Sequence, residues 1–171
     1  MNPADLSQYF VFFHHATAMP LILYDRNGPV LQLPEGGWSA VLEPYREPLL
    51  REAAPVSFII TKQSVYYGRL AVGAEPGTTL VLGPVSSIPI GKQMSGAMLA
   101  DAGVPLRTAG EWSGVLESFP VLDFHRFLHV LCYLHYVVNG AALTPDAITA
   151  LKDMRYAVPI AAEYTSQIYI A

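Results

Sequence analysis

Charge is what this 171-residue sequence has least of: Asp, Glu, Lys and Arg together make up 14% of it. An average soluble domain carries roughly 25%. The ten Lys and Arg residues are thinly spread and the net charge is −4. No basic stripe of the kind that neutralises phosphates stands out, so the chain by itself is not expected to bind nucleic acid. Cysteine is nearly absent too. The lone Cys132 cannot close an internal disulfide, which agrees with a reducing compartment. The opening MNPADLSQ lacks the positive and apolar regions of a signal peptide. The longest dense apolar run, Phe127 to Val138, falls well short of the ~20 residues a membrane helix needs. The expectation is a soluble, cytoplasmic protein with no membrane contact.

What is abundant is apolar, at 52% of residues. A chain of this length is most economically one domain, burying roughly two thirds of its unfolded surface. The apolar excess predicts a partner surface, a ligand cavity or a neighbouring domain.

Leu6, Tyr9, Phe10, Phe13 and Thr17 recur at helical spacing and predict a helix from Asp5 to Ala18, ended by Pro20. Two short apolar runs flank Asp25-Arg26-Asn27-Gly28, a hairpin signal, with strands at about 20 to 24 and 29 to 33. WSAVLEPYREPLLREAA reads as a helix broken by Pro44 and Pro48. Three β-rich runs follow, VSFIITKQ, SVYYGRLAVG and TTLVLGPV, joined too closely for parallel crossovers. From Gly91 the pattern is helical, through KQMSGAMLADAG and EWSGVLESFP to the long VLDFHRFLHVLCYLHYVVNG, closed by Asn139-Gly140. A last helix, LTPDAITALKDMR, has Thr144 as its cap and Pro145 at its first position. The predicted class is α+β: a five-stranded antiparallel sheet with helices across one face and a helical C-terminal portion. Residues 1–90 form the α/β core, and 91–156 a helical extension packing on that core or on a dimer partner.

Three of the five histidines and the cysteine crowd into HRFLHVLCYLHY. On a helix, His125, His129, Cys132 and Tyr136 share one face, and Phe124, Leu128, Leu131 and His135 the next. A His-x-x-x-His pair can hold zinc, with Cys132 as a third ligand. However, Arg126 occupies the position where a zinc-protease helix has its general-base Glu. No second Cys/His cluster completes a set, and His14-His15 lies on another helix. Packing is the expected role of this face, with no metal and no cofactor. Cys132 sits mid-helix without a feature that would favour its thiolate. Ser86-Ser87 lacks a nucleophile elbow, and GAEPGTT lies between strands, unlike a phosphate loop. Asp123, Asp146 and Asp153 fit caps and solubilising charges. No catalytic set forms and no enzyme is expected. The alternative is a small metal-dependent or thiol enzyme using His125, His129 and Cys132.

Alternation along VYYGRLAV puts Tyr66, Gly68, Leu70 and Val72 on one side, and Tyr67, Arg69 and Ala71 on the other. Gly68 leaves a gap where something can approach the backbone. With Phe13, His14 and Tyr24, residues Tyr66 and Gly68 are the candidate lining of a ligand cavity.

The stretches YFVFFHHATAMPLILYD, VYYGRLAVG with LVLGPV, and FHRFLHVLCYLHYVVNGAALT together resemble the N-terminal sensor half of AraC-type bacterial transcriptional regulators. The similarity includes the group related to regulators of surface antigens with the YSIRK signal. It spans most of residues 5 to 145 and implies a PAS/GAF-like sensor fold ahead of a helix-turn-helix domain. It carries no residue-level binding motif. The apolar ending SQIYIA predicts that the chain continues past Ala171, with residues 157–171 starting a linker to that domain. The resemblance implies a regulatory input domain that takes a small-molecule or protein effector and forms a homodimer. It would contact DNA only through the attached domain. The long helix from about 120 to 138 is the expected dimer surface, because its apolar stripes wrap more of its circumference than one sheet can cover.

Overall fold

The computed structural model describes residues 3–73 and 77–156. The expected linker at 157–171 and part of the turn at 74–77 lie outside the described residues. Helix α1 (Pro3–Thr17) leads into the hairpin β1 (Leu21–Asp25) and β2 (Gly28–Leu33). A 3-10 segment, Gly37–Leu42, runs into α2 (Glu43–Arg51). Then come β3 (Val56–Ile60), β4 (Val65–Ala71) and β5 (Thr79–Ser86), followed by α3 (Lys92–Asp101), α4 (Leu106–Glu117), α5 (Phe124–Asn139) and α6 (Pro145–Tyr156).

Local chemistry accounts for the boundaries. The β1–β2 turn is closed by the Asn27 N–H donating to Asp25 Oδ1 at 2.7 Å, with Gly28 at a φ of 124°. Pro44 sits in the first turn of α2, where its missing N–H costs nothing. Asp123 caps α5 by accepting the Arg126 N–H at 2.9 Å. Gly140, left-handed at φ 70°, ends α5 by donating to the Tyr136 carbonyl at 2.8 Å. Thr144 caps α6 by accepting the Ala147 N–H at 3.2 Å.

All neighbouring strands are antiparallel, in the order β2-β1-β5-β4-β3. The five strands and their connections match the sequence expectation, but the placement of helices across one face does not. Both faces are covered. Phe10 and Phe13 from α1, Phe127 and Leu131 from α5 and Ile148 from α6 pack on Leu70 and Leu82. On the opposite face Trp38 of the 3-10 segment, Leu49 of α2, Leu99 of α3 and Leu116 of α4 pack on Tyr67 and Val81. The reason lies in β5, which is buried at all eight positions and apolar toward both sides, as strands of a doubly covered sheet must be. The segment 91–156 is thus split, α3 and α4 on one face and α5 and α6 on the other. Among the described residues no helix is long and apolar enough to cross a membrane.

Two glycines and one polar clip lock β4 in place. A Cβ on Gly83 would lie 2.5 Å from the Tyr66 carbonyl oxygen. Gly83 also holds a φ of 125°, at the irregularity where the β4–β5 register shifts between Tyr66 and Gly68. A Cβ on Gly68 would lie 2.5 Å from Leu131 Cδ2, so α5 rests directly on the strand's backbone. At the far end of α5, Asn139 Nδ2 donates to the Ala71 carbonyl at 2.8 Å and to His135 Nδ1 at 2.9 Å, and its Oδ1 accepts the Gly73 N–H at 2.8 Å. His135 is buried in the process, and that burial lowers its pKa.

Gly83→Ala is expected to destabilise by about 2 kcal/mol or more, because both the φ and a backbone atom oppose the methyl. Gly68→Ala should cost less, since the Leu131 side chain can give. Urea unfolding of the two variants checks the order, and equal losses would discard it. A second expectation concerns acid. Because the folded pKa of His135 is lowered, its contribution is fully present above ~6.5, the unfolded value, and is lost as pH falls from there toward the folded pKa. Urea midpoints should therefore drop below that pH, and less so in His135→Gln. An unchanged slope in the variant would remove His135 as the cause.

Candidate functional site

The five residues expected to line one cavity do not share one. Phe13 and Tyr66 belong to the core beneath α5, where the Tyr66 ring meets Phe124 and Phe127 at centroid distances of 5.2 and 5.4 Å. The gap at Gly68 is filled by the side chains of Leu131 and Phe127, so what approaches that backbone is the protein's own helix. His14 Nδ1 lies 2.8 Å from the Met19 carbonyl and donates to it, tying down the end of α1. Tyr24 packs on the opposite face, in the core around Trp38 and Leu49.

Tyr24 nevertheless borders an open groove of about 510 Å³ between the β1–β2 turn and α2, together with Arg26, Asn27, Arg46, Leu50 and Arg51. Three of the chain's ten Lys and Arg residues meet here. Sequence spacing alone does not reveal it, because the hairpin turn and α2 come together only in the fold. Arg46 lies 3.4 Å from Glu43 and Arg51 3.9 Å from Glu47, exposed pairs that contribute little to stability. The Tyr24 phenol is pushed up to about 12 by burial first and by Glu43 second, against the opposing effect of Arg46. It is therefore a neutral hydroxyl at the groove wall. Behind α2, Arg69 is buried and donates to the Ala54 carbonyl. Desolvation lowers its pKa, and its Nε has no hydrogen-bond partner. It holds the chain between α2 and β3.

Helix α5 presents a different surface. Phe127, Leu128, Leu131, Cys132, Leu134 and His135 are buried, whereas His125, His129, Tyr133 and Tyr136 are exposed. The outward stripe therefore steps from His129 to Tyr133 and leaves Cys132 inside. This corrects the expected face, on which His125, His129, Cys132 and Tyr136 pack together. In the sequence a step of three from His129 leads to Cys132 and a step of four to Tyr133, and helical spacing permits both. Tyr133 and Tyr136 are 54% and 59% exposed, and Phe12 on α1 is 65% exposed. Tyr9 of α1, whose side chain packs against the same core, has its phenol pKa raised, by burial first and then by Tyr133.

His125 and His129 turn toward one another, Nε2 to Nε2 at 3.1 Å, with their rings nearly perpendicular. Among the described residues no group of three or more His, Cys, Asp or Glu side chains converges as a metal site. Burial also pushes the Cys132 thiol up, away from the thiolate a nucleophile needs. The three-residue catalytic arrangement of His125, His129 and Cys132 is not assembled within one chain.

Comparison with protein-family models, with curated proteins and with solved structures finds no match to this chain.

The buried, protonated Cys132 should react with a thiol reagent such as dithionitrobenzoate at least tenfold more slowly in native protein than in urea. Native labelling as fast as that of the unfolded chain would mean an open, activated thiol.

Proposed function

We propose that this chain is a regulatory input domain: it takes an effector on one side of the sheet, pairs with a second copy on the other, and thereby controls an attached helix-turn-helix domain. The resemblance to AraC-type sensor regions supports the output, and the helix-covered antiparallel sheet is the fold that the resemblance implies. On this reading the protein works in the cytoplasm and is not an enzyme. The observation that carries the proposal is the outer face of α5. Tyr133 and Tyr136 are more than half exposed, one turn apart on a helix whose inner face is completely packed, and Phe12 on α1 is exposed as well. Adjacent exposed aromatics of this kind favour a protein surface, and a two-fold pairing of identical helices satisfies it on both copies at once.

The effector side falls to the groove beside Tyr24. Its guanidinium groups stand beside the carboxylates of Asp25 and Glu47 and the neutral phenol of Tyr24, a lining that suits a small polar molecule with both donor and acceptor groups. Such a ligand would act by population shift, favouring one arrangement of α2 against the sheet.

Sedimentation velocity across a concentration series tests the pairing. The expected outcome is a reversible dimer that Tyr133→Asp with Tyr136→Asp converts to monomer while changing the monomer's unfolding free energy in urea by no more than about 0.5 kcal/mol per substitution, because both are surface positions. A protein that stays monomeric at the highest concentration reached would remove the dimer from this reading.

A further inference from the structure

We propose that His125 and His129 form a clamp for a divalent transition metal of the zinc class, completed by the same two residues of a second copy. The completion rests on the dimer reading above, whereas the clamp itself does not. Both side chains are exposed and lie one turn apart on α5. Their Nε2 atoms already converge to 3.1 Å. An ion ~2.0–2.1 Å from each nitrogen would see them at an angle of about 100°, between the square-planar and tetrahedral values. The metal would replace the contact between the two imidazoles, whose Nε2 atoms are already close enough for one ion to bridge after each ring turns its nitrogen toward it. Ordering is the costly part of assembling a site from exposed side chains.

Two imidazoles leave a zinc ion half coordinated. The other ligands must come from beyond the described residues of one chain, since no third His, Cys, Asp or Glu joins the pair among them. Cys132, the neighbour expected from the sequence, is turned into the core. The clamp stands in the same outward stripe as Tyr133 and Tyr136. A two-fold axis through the ion and along the helices would set four nitrogens around it while bringing the tyrosines of both copies together. The metal would act as a stabiliser of the pair, with no open position for catalysis. Arg126 does not oppose the ion directly, because its guanidinium turns back to Asp123 at 3.5 Å.

The test is calorimetric titration of metal-free protein with zinc chloride, with sedimentation velocity on the same samples, for the wild type and His129→Gln. Expected are one zinc per two chains, a shift to dimer that a chelator reverses, and at least a tenfold loss of zinc affinity in the variant. The urea midpoint of metal-free His129→Gln should equal that of the wild type, which keeps misfolding from imitating the result. No zinc binding, or binding that His129→Gln leaves intact, overturns the clamp. One zinc per single chain, lost in His129→Gln, keeps the clamp and overturns its completion by a second copy. The tyrosine variants then decide the dimer separately.

Discussion

A sheet whose central strands are apolar on both sides has to be covered twice, and that requirement organises everything else in this chain. Every residue of β5 is buried, and β4 is buried from Val65 to Leu70. One layer of helices would leave a full face of Tyr67, Val81 and Ile22 in water, an arrangement that costs of the order of 1.5–3 kcal/mol for each large side chain left exposed. The helices after β5 therefore divide between the two faces. The scarcity of charge follows from the same cause, because a sheet covered on both faces has two apolar interiors to fill.

The elements were legible in the sequence where the local signals were strong. The hairpin at Asp25 to Gly28, the caps at Asp123 and Thr144, and the stop at Gly140 all stand where the residue types put them. The number of covered faces was not legible from helical periodicity, which says that a helix has an apolar side but not which surface it meets. The discriminating sign was in the strands. TLVLGPVS lacks the polar alternation of a half-solvated strand, and that outweighs any count of helices.

The site was legible to a smaller extent. Tyr24 was singled out for aromatic density and does border a groove, but its partners Arg46 and Arg51 stand over twenty residues away in sequence. On α5 the choice between Cys132 and Tyr133 as the residue following His129 was undetermined by spacing. A step of three and a step of four both continue a helical face. What decides is the direction of the sheet: Leu131 must sit over Gly68, which rotates Cys132 toward the core and Tyr133 toward solvent.

That single contact also ties the two sides of the molecule together. Gly68 has no side chain, so Leu131 bears on the backbone of β4 itself. One residue earlier, Tyr67 points to the other face, where its ring lies 5.6 Å from Tyr45 of α2 and its hydroxyl donates to the Val41 carbonyl at 3.3 Å. One residue later, Arg69 holds the chain that follows α2. Three consecutive residues of one strand thus touch α5 on one side and the surroundings of α2 on the other. Packed interiors are stiff, so at β4 the surroundings of α2 and helix α5 bear on one backbone, with no flexible side chain at Gly68 between Leu131 and the strand.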